Sequence, residues 1–237
     1  MSSYNEKIYS MAVTPSNDLL LANGPRLQQI SGSSGQITDS VYSVDPLGTT
    51  AVHITSDHKV MVGAKTPGPS YPATGRRVVI RMNKEGKHEK TYEHDRNKQP
   101  LFTYVKHITT TSNGTIFVVD WLSEDGIGRV VVLGQDGDVI NTYTGHPRIN
   151  SDSKPFRPRR VLTTPLDNII VTDRRTHTLH ILNCVGHTIT YYDTKDIRIL
   201  HPFSLSFNSP GQLYIGCSTP VGSTDKGKLY EVDISQI

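Results

Sequence analysis

The sequence predicts an all-β fold, a β-propeller of four-stranded antiparallel blades, and three observations predict it. A short aliphatic strand recurs as Leu19-Leu20-Leu21, Val60-Met61-Val62, Ile116-Phe117-Val118, Ile169-Ile170-Val171 and Leu213-Tyr214-Ile215. The first residues of these strands lie 41, 56, 53 and 44 positions apart, the repeat length of propeller blades. A glycine turn returns after four of them, at Gly35, Gly86, Gly137 and Gly186. The fifth repeat ends after its third strand, while an orphan segment, Tyr4 to Tyr9, precedes the first inner strand. Pairing the two ends would remove an open sheet edge, so Tyr4 to Ile8 is expected to close the ring beside Leu229 to Val232.

The third repeat shows each element most clearly. Val105 to Thr111 is rich in β-branched residues and reads as the inner strand. Asn113-Gly114 is a strong hairpin signal, after which Thr115 to Val119 runs back and ends at Asp120. A polar loop, Trp121 to Gly128, leads to the third strand, Arg129 to Leu133. Gln135-Asp136-Gly137 turns the chain into the fourth, Asp138 to Tyr143.

In the other repeats the inner strands centre on Met11 and Val13, Val52 and Ile54, Val161 and Leu162, and Leu205 and Phe207. The third strands are Arg26 to Ile30, Val78 to Met82, Leu179 to Leu182 and Leu229 to Val232. Tyr42, Tyr92, Tyr143 and Tyr192 close the fourth strands and are expected at the rim, with an apolar body and a wet hydroxyl.

The 237 residues form a single expected domain, 1–237, with a net charge of +3. No window approaches the roughly 18 apolar residues of a membrane span, and residues 1 to 10 lack the apolar core of a secretory signal. Cys184 and Cys217 are the only cysteines, too few for a zinc cluster or a disulfide framework. The expectation is a cytoplasmic chain, monomeric as an isolated domain, with no membrane partner.

The aligned repeats resemble NHL-repeat propellers, in particular those at the C-terminus of invertebrate tripartite-motif (TRIM-like) proteins. The resemblance is carried by Val118-Val119-Asp120, Val171-Thr172-Asp173, the Asn-Gly and Asp-Asn turns before them, Leu179 to Asn183, and Gly227 to Val232. It covers the whole chain. Such propellers usually have six blades, whereas five repeats are recognisable here. The RING, B-box and coiled-coil modules of the resembled ubiquitin ligases are absent from this sequence. The resemblance therefore implies the substrate-recognition part of such a ligase, without a catalytic part.

The residues themselves point the same way. The inner strands offer His53, His107, His201, Lys106, Arg159, Arg160, Ser10 and Ser204 but no carboxylate, a poor set for a divalent cation. His177, His180 and His187 read as an incidental cluster, because three-residue spacing on a strand puts side chains on opposite faces. Asp120 and Asp173 read as acceptors of loop N–H groups. No nucleophile elbow, phosphate-binding loop or dinucleotide fingerprint occurs. The expectation is no enzyme, no catalytic residue, no metal and no cofactor, with a metal-dependent propeller hydrolase or lactonase as the enzyme alternative.

Binding is expected on the face that carries the long, variable loops. Arg157, Arg159, Arg160, Arg174 and Arg175 place five guanidiniums on two adjacent loops of that face. Arg76, Arg77, Lys106, His107, Tyr104 and Trp121 complete the candidate site. Arginine with exposed aromatics suits a protein or acidic-peptide partner, and also the stacking chemistry of single-stranded RNA. Acids on the same face and the mild net charge favour the protein or peptide.

Overall fold

The computed structural model describes residues 7–208, 212–219 and 226–233. These contain nineteen strands and no helix. Blade 1 comprises β1 (Ser10–Val13), β2 (Leu19–Ala22), β3 (Leu27–Ile30) and β4 (Ile37–Asp39). Blade 2 comprises β5 (Gly48–Ile54), β6 (Val60–Lys65), β7 (Arg77–Met82) and β8 (His88–Tyr92). In blade 3 the strands are β9 (Val105–Thr110), β10 (Ile116–Trp121), β11 (Gly128–Leu133) and β12 (Val139–Tyr143). Blade 4 has β13 (Pro158–Thr163), β14 (Ile169–Asp173), β15 (Thr178–Leu182) and β16 (Thr188–Asp193). Blade 5 has β17 (Pro202–Phe207), β18 (Leu213–Cys217) and β19 (Lys228–Val232).

Each sheet is antiparallel with its strands in sequence order, four in each of blades 1 to 4 and three described in blade 5. The five sheets form the ring of a five-bladed β-propeller. The assignment of Tyr4 to Ile8 as the closing strand falls mostly on residues 1–6, outside the described residues. Within them Ile8 belongs to no strand, Tyr9 donates its N–H to the Ala22 carbonyl at 2.8 Å, and β19 is paired with β18.

The two-residue period of a strand explains the packing. In blade 3, Ile116, Val118, Val131 and Leu133 pack against Ala51, Met61 and Val79 of blade 2. The alternate residues Phe117, Val119, Val130 and Val132 pack against Val161, Ile169 and Val171 of blade 4. Both faces of the strand are buried, so it reads as one unbroken apolar run. Similar cores join blades 1 and 2 and blades 4 and 5. Ile116, Val118, Ile169, Val171, Leu213 and Ile215 are all buried, as expected.

The glycine turns serve these junctions. Gly86 and Gly186 have φ of 81° and 85°, which disfavours any residue with a Cβ. A Cβ on Gly86 would also fall 2.3 Å from the Val41 carbonyl oxygen, and on Gly186 2.7 Å from Val132 Cγ2. The turn of one blade thus lies against the blade before it.

The tyrosines depart from expectation. Tyr92 and Tyr143 are buried, and their hydroxyls cross to the next blade rather than to water. Tyr92 Oη donates to the Gln135 carbonyl at 2.9 Å, Tyr143 Oη lies 2.9 Å from His180 Nδ1, and Tyr42 Oη reaches the Lys84 carbonyl at 3.4 Å. A phenol that must leave water gains a partner in the next blade, and this pins consecutive blades.

Candidate functional site: a cation-lined channel mouth

A repeated irregularity of the inner strands builds the site. In β9, Val105 pairs with Asp120 and His107 with Val119, so Lys106 is an extra residue in a β-bulge. Thr50 of β5 and Phe203 of β17 are extra in the same way. In β13, Arg159 and Arg160 together face Thr172, between the pairs Pro158–Asp173 and Val161–Val171. The Arg160 N–H donates to Thr172 Oγ1 at 3.0 Å, which satisfies the backbone at the bulge. Thr50, Lys106, Arg159 and Phe203 each lie ten residues before the first residue of the next strand, and Tyr9 has the same place in blade 1. Five equivalent positions therefore ring one end of the central channel.

Aromatic rings tie these positions together. Tyr71, in the loop before β7, lies 6.2 Å from Tyr104, and Tyr104 lies 6.2 Å from Trp121. The Arg159 guanidinium sits 4.4 Å from the Trp121 ring centre and 5.6 Å from that of Phe203. Lys106 Nζ lies 5.0 Å from the centre of the same indole. Trp121 is fixed by donating Nε1–H to the Pro158 carbonyl at 2.7 Å, and its backbone carbonyl accepts the Tyr71 hydroxyl at 3.0 Å. The ladder spans blades 2 to 5.

Asp120, in β10, holds the segment that leads into β9. Its buried carboxylate accepts the N–H groups of Thr103 and Tyr104 at 2.7 and 2.8 Å and pairs with Arg129 at 3.0 Å. Burial pushes its pKa up, and the Arg129 charge and the two N–H groups oppose that rise. Asp173, at the same place in blade 4, accepts instead from its own following loop, from Arg175 N at 3.1 Å and Thr176 N at 3.4 Å, and from Asn150 Nδ2 at 2.9 Å. Both aspartates are loop acceptors, as the sequence suggested.

The mouth is electropositive. Lys106, Arg159, Arg160 and Arg174 form no ion pair among the described residues. Burial, then Arg160, Arg159 and Lys7, lower the Lys106 amine to about 8. Burial also lowers Arg160, and burial followed by Arg174 and Arg157 lowers Arg159. The Nε atoms of Arg159 and Arg174 are buried without a partner, although Arg174 donates an Nη to the Thr219 carbonyl at 3.1 Å. Deeper in the channel, His53 lies 3.0 Å from Thr110 Oγ1 and burial lowers it to about 4. His107 is held well below the usual imidazole range by burial and by Arg160, and its Nδ1 has no partner. Among the described residues no three His, Cys, Asp or Glu side chains are placed to hold a metal ion.

The structure separates the expected site residues. Lys106, Tyr104, Trp121, Arg159, Arg160 and Arg174 come together, with His107 below them. Arg157 is tied to Asp125 at 2.6 Å, and with the exposed Arg175 it lines a separate cleft of about 380 Å³ beside Arg148, Lys154 and Lys195. Arg76 is taken up by Glu93 at 2.7 Å. Arg77 is buried and donates Nε–H to the Thr103 carbonyl at 3.1 Å, a structural role. Arg159 and Arg160 are strand residues in a bulge, in line with the inner-strand reading, which corrects the count of five guanidiniums on two loops. Phe203 and Tyr71 belong to the site, whereas Phe102 and Phe156 are buried between blades.

No protein-family model matches the chain, and no curated protein matches it in sequence. Solved structures do. A protein of unknown function from Bacteroides caccae aligns at TM-score 0.67 and 15% identity, over 98% of this chain and 79% of that one. Virginiamycin B lyase from Staphylococcus aureus aligns at 0.60 and 17%, over 98% of this chain and 71% of that one. A candidate gluconolactonase aligns at 0.56 and 17%, over 86% and 69%. Identities this low carry the fold alone. The expectation that this chain is not an enzyme is nevertheless corrected: it leaned on missing ligase modules, a carboxylate-free channel and absent catalytic motifs, and the propellers that this fold resembles include virginiamycin B lyase.

Proposed function

We propose that the long-loop face binds an acidic segment of a protein partner, with its carboxylates seated among Lys106, Arg159, Arg160 and Arg174. One observation carries this reading. Four cations share a partly buried mouth, and no carboxylate of the described residues pairs with any of them. Gathering like charges away from water costs stability, and an anionic ligand offsets that cost. Guanidinium forks match carboxylates in a bidentate geometry, while Tyr104 and Trp121 offer flat apolar walls to the peptide between them. In the tripartite-motif setting that the NHL-like motifs imply, the captured protein would be the ligase substrate.

Fluorescence anisotropy with a labelled oligoglutamate peptide tests this. The wild type should bind it, and Arg160→Gln with Arg174→Gln should weaken binding at least about tenfold, since hydrogen bonds to charged groups contribute roughly 1.5–3 kcal/mol each. Equal binding by the double variant contradicts the reading. So does displacement of the peptide by single-stranded oligouridylate at lower concentration, which would make the face an RNA site.

A further inference from the structure

We propose that Lys106 is a carbonyl-capturing nucleophile, its amine aimed at the C=O of a small oxo-carboxylate whose carboxylate is anchored by Arg159 and Arg160. The inference rests on the anion-binding mouth and assigns it a ligand class and a covalent step.

Three features support it. Lys106 is the extra residue of the β9 bulge, a device that commonly re-aims a side chain beside a reactive site. Its Nζ rests against Trp121 with no hydrogen bond or ion pair among the described residues, so the lone pair is not committed once the proton leaves. Its charged neighbours are all cations, Arg160 from the facing bulge, Arg159 on the same indole and Lys7 before β1. Crowding by positive charge and burial favours the neutral amine, the form that adds to carbonyls. The lowering to about 8 leaves roughly two orders of magnitude more free amine at pH 7 than an ordinary lysine has.

The step balances without an added oxidant or reductant. The ammonium proton goes to solvent, the nitrogen lone pair forms a C–N bond, and the C=O π pair moves onto oxygen. In this proposal the guanidiniums that hold the carboxylate also stabilise the charge developing on the adjacent oxygen. One N–H proton passes to that oxygen to give the carbinolamine, and the second follows as the hydroxyl leaves as water, so both N–H protons depart with the oxygen and an imine remains. The ligand class is a 2-oxo acid or an aldehyde acid, with carbonyl and carboxylate adjacent.

Glyoxylate with sodium cyanoborohydride tests this, because hydride reduction of the imine leaves a stable secondary amine that peptide mass spectrometry can locate. Lys106 should be labelled at least about tenfold faster than surface lysines at pH 7, since the larger free-amine fraction outweighs the lower nucleophilicity of a less basic amine. Arg160→Gln should remove most of that preference, and acetaldehyde, which lacks the carboxylate, should not show it. Oxalate, an anion without an aldehyde, is titrated alongside by the emission of Trp121, the only tryptophan of the chain. It should protect Lys106 from labelling, and Lys106→Met, which a thermal melt shows to be folded, should lose the fast label. If Lys106 is labelled no faster than surface lysines while oxalate still shifts Trp121, the nucleophile is refuted and the anion site stands. If oxalate leaves Trp121 unchanged as well, both fail.

Discussion

The guanidinium of Arg159 lies 4.4 Å from the centre of the Trp121 indole, across the junction of the third and fourth blades. One residue belongs to a bulge of an inner strand and the other ends the second strand of the preceding blade. The contact therefore couples blade packing to the chemistry of the channel mouth. A cation on an indole face is attracted by the ring quadrupole, more so where water is scarce. We predict that Trp121→Ala costs roughly 2–4 kcal/mol of stability and abolishes oligoglutamate binding. Trp121→Phe, which keeps a ring but loses the bond to Pro158, should retain measurable binding. Denaturant titration and anisotropy on the two variants check this.

Asp120 is the second test of that coupling. Its carboxylate is buried, paired with Arg129 and bonded to the N–H groups that position Tyr104. Asp120→Ala leaves Arg129 and two loop N–H groups without their acceptor and should cost about 3–5 kcal/mol. Asp120→Asn keeps an oxygen for the N–H groups and should cost less. A thermal melt of each variant decides, and equal melting of Asp120→Ala and wild type would refute the role.

Acid should unfold the protein early. His180 is buried against Tyr143 and Phe156, and burial lowers it to about 4. His53 is lowered to about 4 as well, and His107 falls well below the usual range. Unfolded histidines titrate near 6.5, so between that pH and about 4 the unfolded state binds more protons than the folded state. Stability is therefore full above about pH 6.5 and lost as pH falls toward 4. His180 alone accounts for up to about 3 kcal/mol of that loss. His180→Gln should flatten this limb in urea titrations run across the window.

Much of the fold was legible because strands buried on both faces leave dense aliphatic runs, as at Ile116 to Val119 and Ile169 to Val171. Gly86 and Gly186 marked reversals that a Cβ would block. The tyrosines were misread because Tyr92 and Tyr143 find hydroxyl partners in the next blade, a contact that no local pattern reveals. At the site, the residue types were legible and their placement was not. Arg159 and Arg160 read both with the inner strand and with the loop face, and the bulge that holds them was not legible, since a bulge is set by the register between two strands and not by either strand alone. Arg76, Arg77 and Arg157 looked available, but Glu93, the Thr103 carbonyl and Asp125 occupy them. One signal did lie in the sequence: Tyr9, Thr50, Lys106, Arg159 and Phe203 stand at the same offset in all five repeats.

Crowded cations give a prediction of opposite sign for stability and binding. Burial disfavours the charge on Arg160, which forms no ion pair among the described residues. Arg160→Gln should therefore leave stability unchanged or raise it, by up to about 1 kcal/mol, while weakening the ligand. A melt and a binding titration on the same sample show whether the two effects part.

The central claim is that the channel mouth is an anion site, and calorimetric titration of oligoglutamate into the wild type and Arg160→Gln tests it most directly. The account predicts one binding event in the wild type, weakening as salt rises, and at least about tenfold lower affinity in a variant that melts no earlier. Binding that Arg160→Gln leaves unchanged, or no heat with the wild type at low salt, would contradict it.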